Sequence, residues 1–185
     1  MARFTKADAV NQALQSPLIP VFYHAEEPYA RRVLQACYEG GVRLFEFTNR
    51  GPNAFDIFTD LQQFVEAEYP DLLLGAGTIY TVEEAERFIS AGADYIVQPV
   101  IGAEVAALCQ QYDLAWLPGV STLNEVYQAS QLGPRLPSCF PPPSSGPTTS
   151  RPSAPRCRKC ALWPPAAFSP PPKPWPPGCR PAPPA

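Results

Sequence analysis

From residue 18 onwards the chain alternates two periods of hydrophobicity. Short apolar runs, LIPVFYH (18–24), RLFEFTN (43–49), LLLGAGT (72–78), YIVQPV (95–100) and AWLPGVS (115–121), are each followed by a stretch with helical spacing and then by a Gly, Ala-Gly or Pro break. The helical stretches are PYARRVLQACYEGG, AFDIFTDLQQFVEAEYP, TVEEAERFISAGA, GAEVAALCQQYD and TLNEVYQASQLG. Strands that are apolar on both faces, separated by amphipathic helices, predict a parallel sheet covered by helices: a doubly wound fold or a (β/α)8 barrel. The crossovers are then right-handed. Glycines in EGG (39–41) and SAGA (90–93) fall where a helix ends on a left-handed residue. Thr81 with Glu84 spells a capping box for a helix starting near Val82.

The rhythm stops at Gly133. Residues 1–133 hold seven of the 26 Pro, so 19 lie in the last 52 positions, where no period is visible. Charge divides at the same point. The overall net charge of -3 is the sum of a body with 7 basic and 17 acidic residues, or -10, and a tail with seven Lys or Arg and no acid. Residues 1–133 therefore read as the domain, and 134–185 as a low-complexity Pro/Arg/Cys-rich tail expected to be disordered. An acidic body repels phosphates and argues against a nucleic-acid partner. No signal-peptide pattern and no apolar run of about 18 residues is visible, which leads to the expectation of a cytoplasmic protein without membrane contact. Cys37 and Cys109 sit in helical apolar patterns and read as reduced core residues.

Polar and special residues collect at the C-terminal ends of the runs: Glu46 and Arg50, Thr78, Gln98 and Pro99, and Ser121. In a barrel that rim is where chemistry is assembled. Glu46 and Arg50 lie four apart in FEFTNR. A carboxyl among Phe45 and Phe47 would have a raised pKa suited to proton transfer, and an arginine offers a clamp for a substrate carboxylate. A plain rim salt bridge is the alternative. GAGT (75–78) puts exposed amides beside a hydroxyl, able to hold a carboxylate or phosphate, but lacks the third glycine of a dinucleotide fingerprint. His24, the single histidine, has no second histidine with which to share a metal and reads as a rim residue.

The order PVFYH, GVRLFEFTNR, GAGTIYTVEEAERFISAGADYIVQP, PGVSTLNE resembles the 2-dehydro-3-deoxy-phosphogluconate (KDPG) and 4-hydroxy-2-oxoglutarate (KHG) aldolases over nearly all of residues 1–133. The resemblance implies a (β/α)8 barrel, here truncated after about five βα units, and a trimer in the family, doubtful for this chain. It implies a class I aldolase with no metal and no cofactor, taking small keto acids. KDPG would give pyruvate and glyceraldehyde 3-phosphate; 4-hydroxy-2-oxoglutarate would give pyruvate and glyoxylate. Glu46 would be the general acid/base, Arg50 and Thr78 would hold the pyruvyl carboxylate, and Pro99 would line the substrate site. The family's nucleophile is a sixth-strand lysine in Lys-x-Phe-Pro, whose amine forms an imine with the ketone. Here Ser138 stands at that position, in Ser138-Cys139-Phe140-Pro141, and the only lysines are Lys6, Lys159 and Lys173. The family's Thr-Gly-Gly phosphate loop is missing too. The chain is therefore expected to be inactive, and a non-catalytic keto-acid-binding or interaction protein is the alternative.

A shifted reading frame accounts for both departures. If Ser138 is encoded AGY, codons built from the last base of one triplet and the first two of the next read NAG-YTG-YTT-YCC over 138–141, which permits Lys-Leu-Phe-Pro. The same shift over 163–168 permits Met-Ala-Thr-Gly-Gly-Val. The expectation is a one-base deletion, or an equivalent reading error, near codon 134. The competing readings of the tail are a polyproline ligand for SH3-like grooves and a zinc site from Cys157 and Cys160 with Cys139 and Cys179.

Overall fold

Each apolar run becomes a strand and each helical stretch a helix. The computed structural model describes residues 3–16 and 18–133, with the backbone of 138–139. Apart from Ser138–Cys139, which pair as a short strand, the tail expected to be disordered, frameshifted or zinc-binding lies outside the described residues. The elements are α1 (Lys6–Gln15), β1 (Val21–Phe22), α2 (Glu27–Glu39), β2 (Leu44–Thr48), α3 (Ala54–Glu68), β3 (Leu73–Gly77), α4 (Val82–Ser90), β4 (Tyr95–Gln98), α5 (Ala103–Gln111), β5 (Ala115–Val120), α6 (Leu123–Gln131) and β6 (Ser138–Cys139). All strands are parallel and lie in chain order, β1-β2-β3-β4-β5-β6. A doubly wound sheet reverses direction at a switch point, whereas a strictly sequential order is that of a barrel wall, so the order decides between the two architectures. Five βα units are present, followed by a sixth strand.

Alternation along the strands sorts the core into two sides. Phe45, Phe47, Leu74, Ala76, Ile96 and Trp116 pack outwards against the helices. Leu44, Leu73, Tyr95, Val97, Ala115 and Leu117 face the inner side. That inner side is covered at its base by α1, a helix absent from the sequence-based pattern, through Ala9 and Ala13. Its start is fixed by a capping box between Thr5 and Asp8. Arg3 leads into it by donating to the buried Asp94 at 2.6 Å and to the Leu72 carbonyl at 2.8 Å. The capping box expected at Thr81 and Glu84 is formed, and Gly41 and Gly92 take φ of +94° and +95° after α2 and α4. Cys37 and Cys109 are free thiols; burial pushes Cys109 up to about 12. No helix among the described residues is long and apolar enough to cross a membrane.

Candidate active site

Strand β2 reads LFEFT, and its pleat turns both phenylalanines to the helices and Glu46 to the inner face. Glu46 is only 5% exposed. Burial pushes its carboxyl from 4.5 up to about 7, with Arg50 pulling the other way. Arg50 follows the strand and is exposed. Among the described ion pairs none joins it to Glu46, so the rim salt bridge is not what the residues form; the two charges act on each other at longer range.

Room for Glu46 is made by glycine. A Cβ on Gly77 would lie 1.8 Å from Glu46 Oε1 and 2.5 Å from its Cδ, so the carboxyl rests directly on the β3 backbone. A Cβ on Gly75 would lie 2.2 Å from Cε2 and Cζ of Tyr95. GAG is thus the buried end of the strand, paired with β2 and β4, and its amides are not the exposed ones expected from the sequence. Only Thr78 emerges from it, with φ +61°, a conformation a β-branched residue adopts at a cost of about 1–3 kcal/mol.

The loops above these strands are tied to one another. Glu84 Oε2 accepts from the Tyr80 and Thr81 amides at 2.8 and 3.2 Å, while its Oε1 accepts from Asn49 Nδ2 at 3.2 Å, joining the β2 and β3 ends. Tyr23 donates to Asn53 Oδ1 at 3.0 Å, and Asn53 donates to the Ala25 carbonyl at 2.8 Å, joining the β1 and β2 ends. His24 stacks on Tyr29 with centroids 4.3 Å apart and accepts from the Glu26 amide at 3.1 Å. Gln98 ends β4, as expected, and donates to the Tyr80 carbonyl at 3.4 Å. It is fully buried, accepts from Trp116 Nε1 at 2.9 Å and serves as an internal strut. The Ser121 amide donates to Glu125 at 2.8 Å, at the start of α6.

Arg50, Thr78 and Pro99 therefore lie just beyond the C-terminal ends of three neighbouring strands, and Glu46 at the middle of β2 on the inner face. Ser138 pairs with Gly119 near the same end of β5. Among the described residues there is no group of three or more His, Cys, Asp or Glu placed to hold a metal. One residue of the site was not visible in the sequence. Tyr95 reads as an ordinary apolar strand position, yet its ring lies over Gly75, beside the Glu46 seat, and nothing in its local pattern signals this.

Residues 10–150 match the family model described as KDPG and KHG aldolase. The 2-dehydro-3-deoxy-phosphogluconate aldolase of Treponema pallidum is 32% identical over 67% of this chain and 57% of its own length. The KHG/KDPG aldolase of Escherichia coli is 25% identical over 76% of this chain and 64% of its own. The chain thus spans less than two thirds of either relative. The crystal structure of KDPG aldolase from Legionella pneumophila, with pyruvate captured as a covalent carbinolamine intermediate, superposes with a TM-score of 0.61, 30% identity and coverage of 69% of this chain and 59% of that one. With the family model matched over residues 10–150, most of this chain, and with the strand order described above, the chain belongs to the KDPG and KHG aldolase family.

Proposed function

We propose that the rim around Glu46 is a keto-acid site of the class I aldolase type, shaped for a 2-keto-4-hydroxy acid that divides into pyruvate and an aldehyde. The observation that carries this reading is the Glu46 carboxyl, held on the inner face of a parallel sheet at mid-strand and pushed up to about 7. A group that is half-protonated near neutral pH can both accept and return a proton. It would take the proton of the C4 hydroxyl as the C3–C4 bond breaks, and later deliver a proton to C3 of the three-carbon fragment. Arg50, exposed beside it, would clamp the carboxylate of the keto acid with Thr78, and Pro99 would line the third side. Pyruvate bound covalently in the Legionella pneumophila relative supports a ligand of this class.

Breaking that bond needs an electron sink, which the family obtains from a lysine imine. Ser138 occupies the β6 position to which the resemblance assigns that lysine, and its hydroxyl forms no imine. In this form the chain binds the keto acid without turning it over. Incubation with pyruvate and borohydride followed by intact mass should return the unmodified chain; a pyruvyl adduct would overturn the claim of inactivity. Calorimetry should show saturable pyruvate binding, weakened at least about tenfold by Arg50→Ala, since a hydrogen bond to a charged group contributes about that much. If the parent chain binds no pyruvate, the rim is not a keto-acid site.

A further inference from the structure

Two groups on the inner face of the sheet each lack what the other offers. The Tyr95 side chain is fully buried, and its hydroxyl has no hydrogen-bond partner among the described residues. The Glu46 carboxyl, on a residue only 5% exposed, accepts none of the hydrogen bonds found among them. Both rest on the same strand. Gly75 and Gly77 lie two apart on the inner face of β3, and the phenol end of Tyr95 covers the first while the Glu46 carboxyl covers the second. Register agrees, because Gly75 pairs with Glu46 on one side and with Tyr95 on the other. The unpaired buried hydroxyl carries a desolvation cost, and a carboxyl held largely out of water lies beside it, so their adjacency calls for an explanation.

We propose that Tyr95 is a positioning residue for Glu46, its hydroxyl donating a hydrogen bond to the Glu46 carboxylate when that carboxylate is ionised. The Tyr95 ring is locked over Gly75, whereas Glu46 carries its carboxyl on three rotatable bonds, so the carboxylate is the partner that moves. Burial, and then the Glu46 charge, hold the phenol well above its ordinary pKa, which keeps it a donor at neutral pH. The other charges nearby are accounted for. Arg50 approaches from the end of β2. Asp94, just before β4, is already engaged by Arg3 and by the Leu74 amide. β5 and α1 present Ala115, Leu117, Ala9 and Ala13. The place this gives Tyr95 in proton transfer rests on the reading of Glu46 as the acid–base group; the hydrogen bond itself does not.

The test follows the titration of the full chain by NMR, with 13C in the Glu carboxyls and the Tyr Cζ atoms, and needs no catalysis. The Tyr95 Cζ resonance should move with the Glu46 midpoint and become flat in Glu46→Gln. In Tyr95→Phe the Glu46 midpoint should rise by about one pH unit, the effect of losing one hydrogen bond to a charged group. A tyrosine that only fills space would move neither. A Tyr95 resonance that stays flat through the Glu46 titration overturns the proposal, as does an unchanged Glu46 midpoint in folded Tyr95→Phe. Should that variant fail to fold, the parent chain and Glu46→Gln decide the matter. Loss of pyruvate binding with the coupling intact would count against the keto-acid site alone.

Discussion

Glu46 carries a cost that depends on pH. Its pKa of about 7 in the folded chain lies above its ordinary 4.5, so between those values the folded chain keeps a proton that the unfolded chain releases. The associated stability is complete below about 4.5 and is lost as pH rises through about 7. Glu46→Gln removes the titration. The variant should therefore be more stable than the parent at pH 8, by on the order of 3 kcal/mol, with the difference shrinking towards zero near pH 4. Denaturant unfolding at the two pH values checks this, and an equal difference at both would contradict it. The raised pKa of Glu46 was expected from Phe45 and Phe47 as its apolar neighbours, but the pleat turns both rings to the helix side and the carboxyl lies instead against Gly77. That seat was not legible, since a glycine announces space without saying whose side chain fills it.

At the scale of the element, β3 shows how far a short motif can mislead. GAGT suggests exposed amides at a strand end, yet its two inner-face glycines are where side chains from β2 and β4 converge. The two positions differ in what would have to move. Gly77→Ala meets the far end of a flexible glutamate, whereas Gly75→Ala meets a fully buried aromatic ring. Thermal unfolding should show Gly75→Ala destabilised by on the order of 3 kcal/mol and Gly77→Ala by about 1 kcal/mol, within the range for overpacked cores. The reverse order would mean that the Tyr95 ring yields more easily than the Glu46 carboxyl. The boundaries of the other strands followed the apolar runs closely, except that β1 contracts to Val21–Phe22 beyond Pro20, which has no amide to donate. Helix α1 escaped notice because its buried face is only Ala9 and Ala13, too small to stand out as an apolar stripe.

For the whole molecule, the sequential strand order makes sense only as part of a closed wall. Six strands are described, where a barrel of this class has eight, and each parallel strand needs neighbours on both sides. The rhythm legible up to Gly133 came from the requirement that such strands be apolar on both faces; past it the sequence shows no period, and the two-residue strand β6 was not legible there. We propose that a shifted frame near codon 134 accounts for this, and the two possible origins of the tail predict different proteins. If the frame is shifted, a single-base correction rebuilds Lys-x-Phe-Pro and Thr-Gly-Gly together. The corrected chain should then trap pyruvate under borohydride and cleave KDPG or 4-hydroxy-2-oxoglutarate. Ser138→Lys in the existing frame should restore at most the trapped adduct, because it supplies the amine without the remaining strands or the phosphate loop. If the gene sequence shows an unbroken frame that rebuilds neither motif, the tail is authentic. The binding site around Arg50 and Glu46 would then be the function on which selection acts.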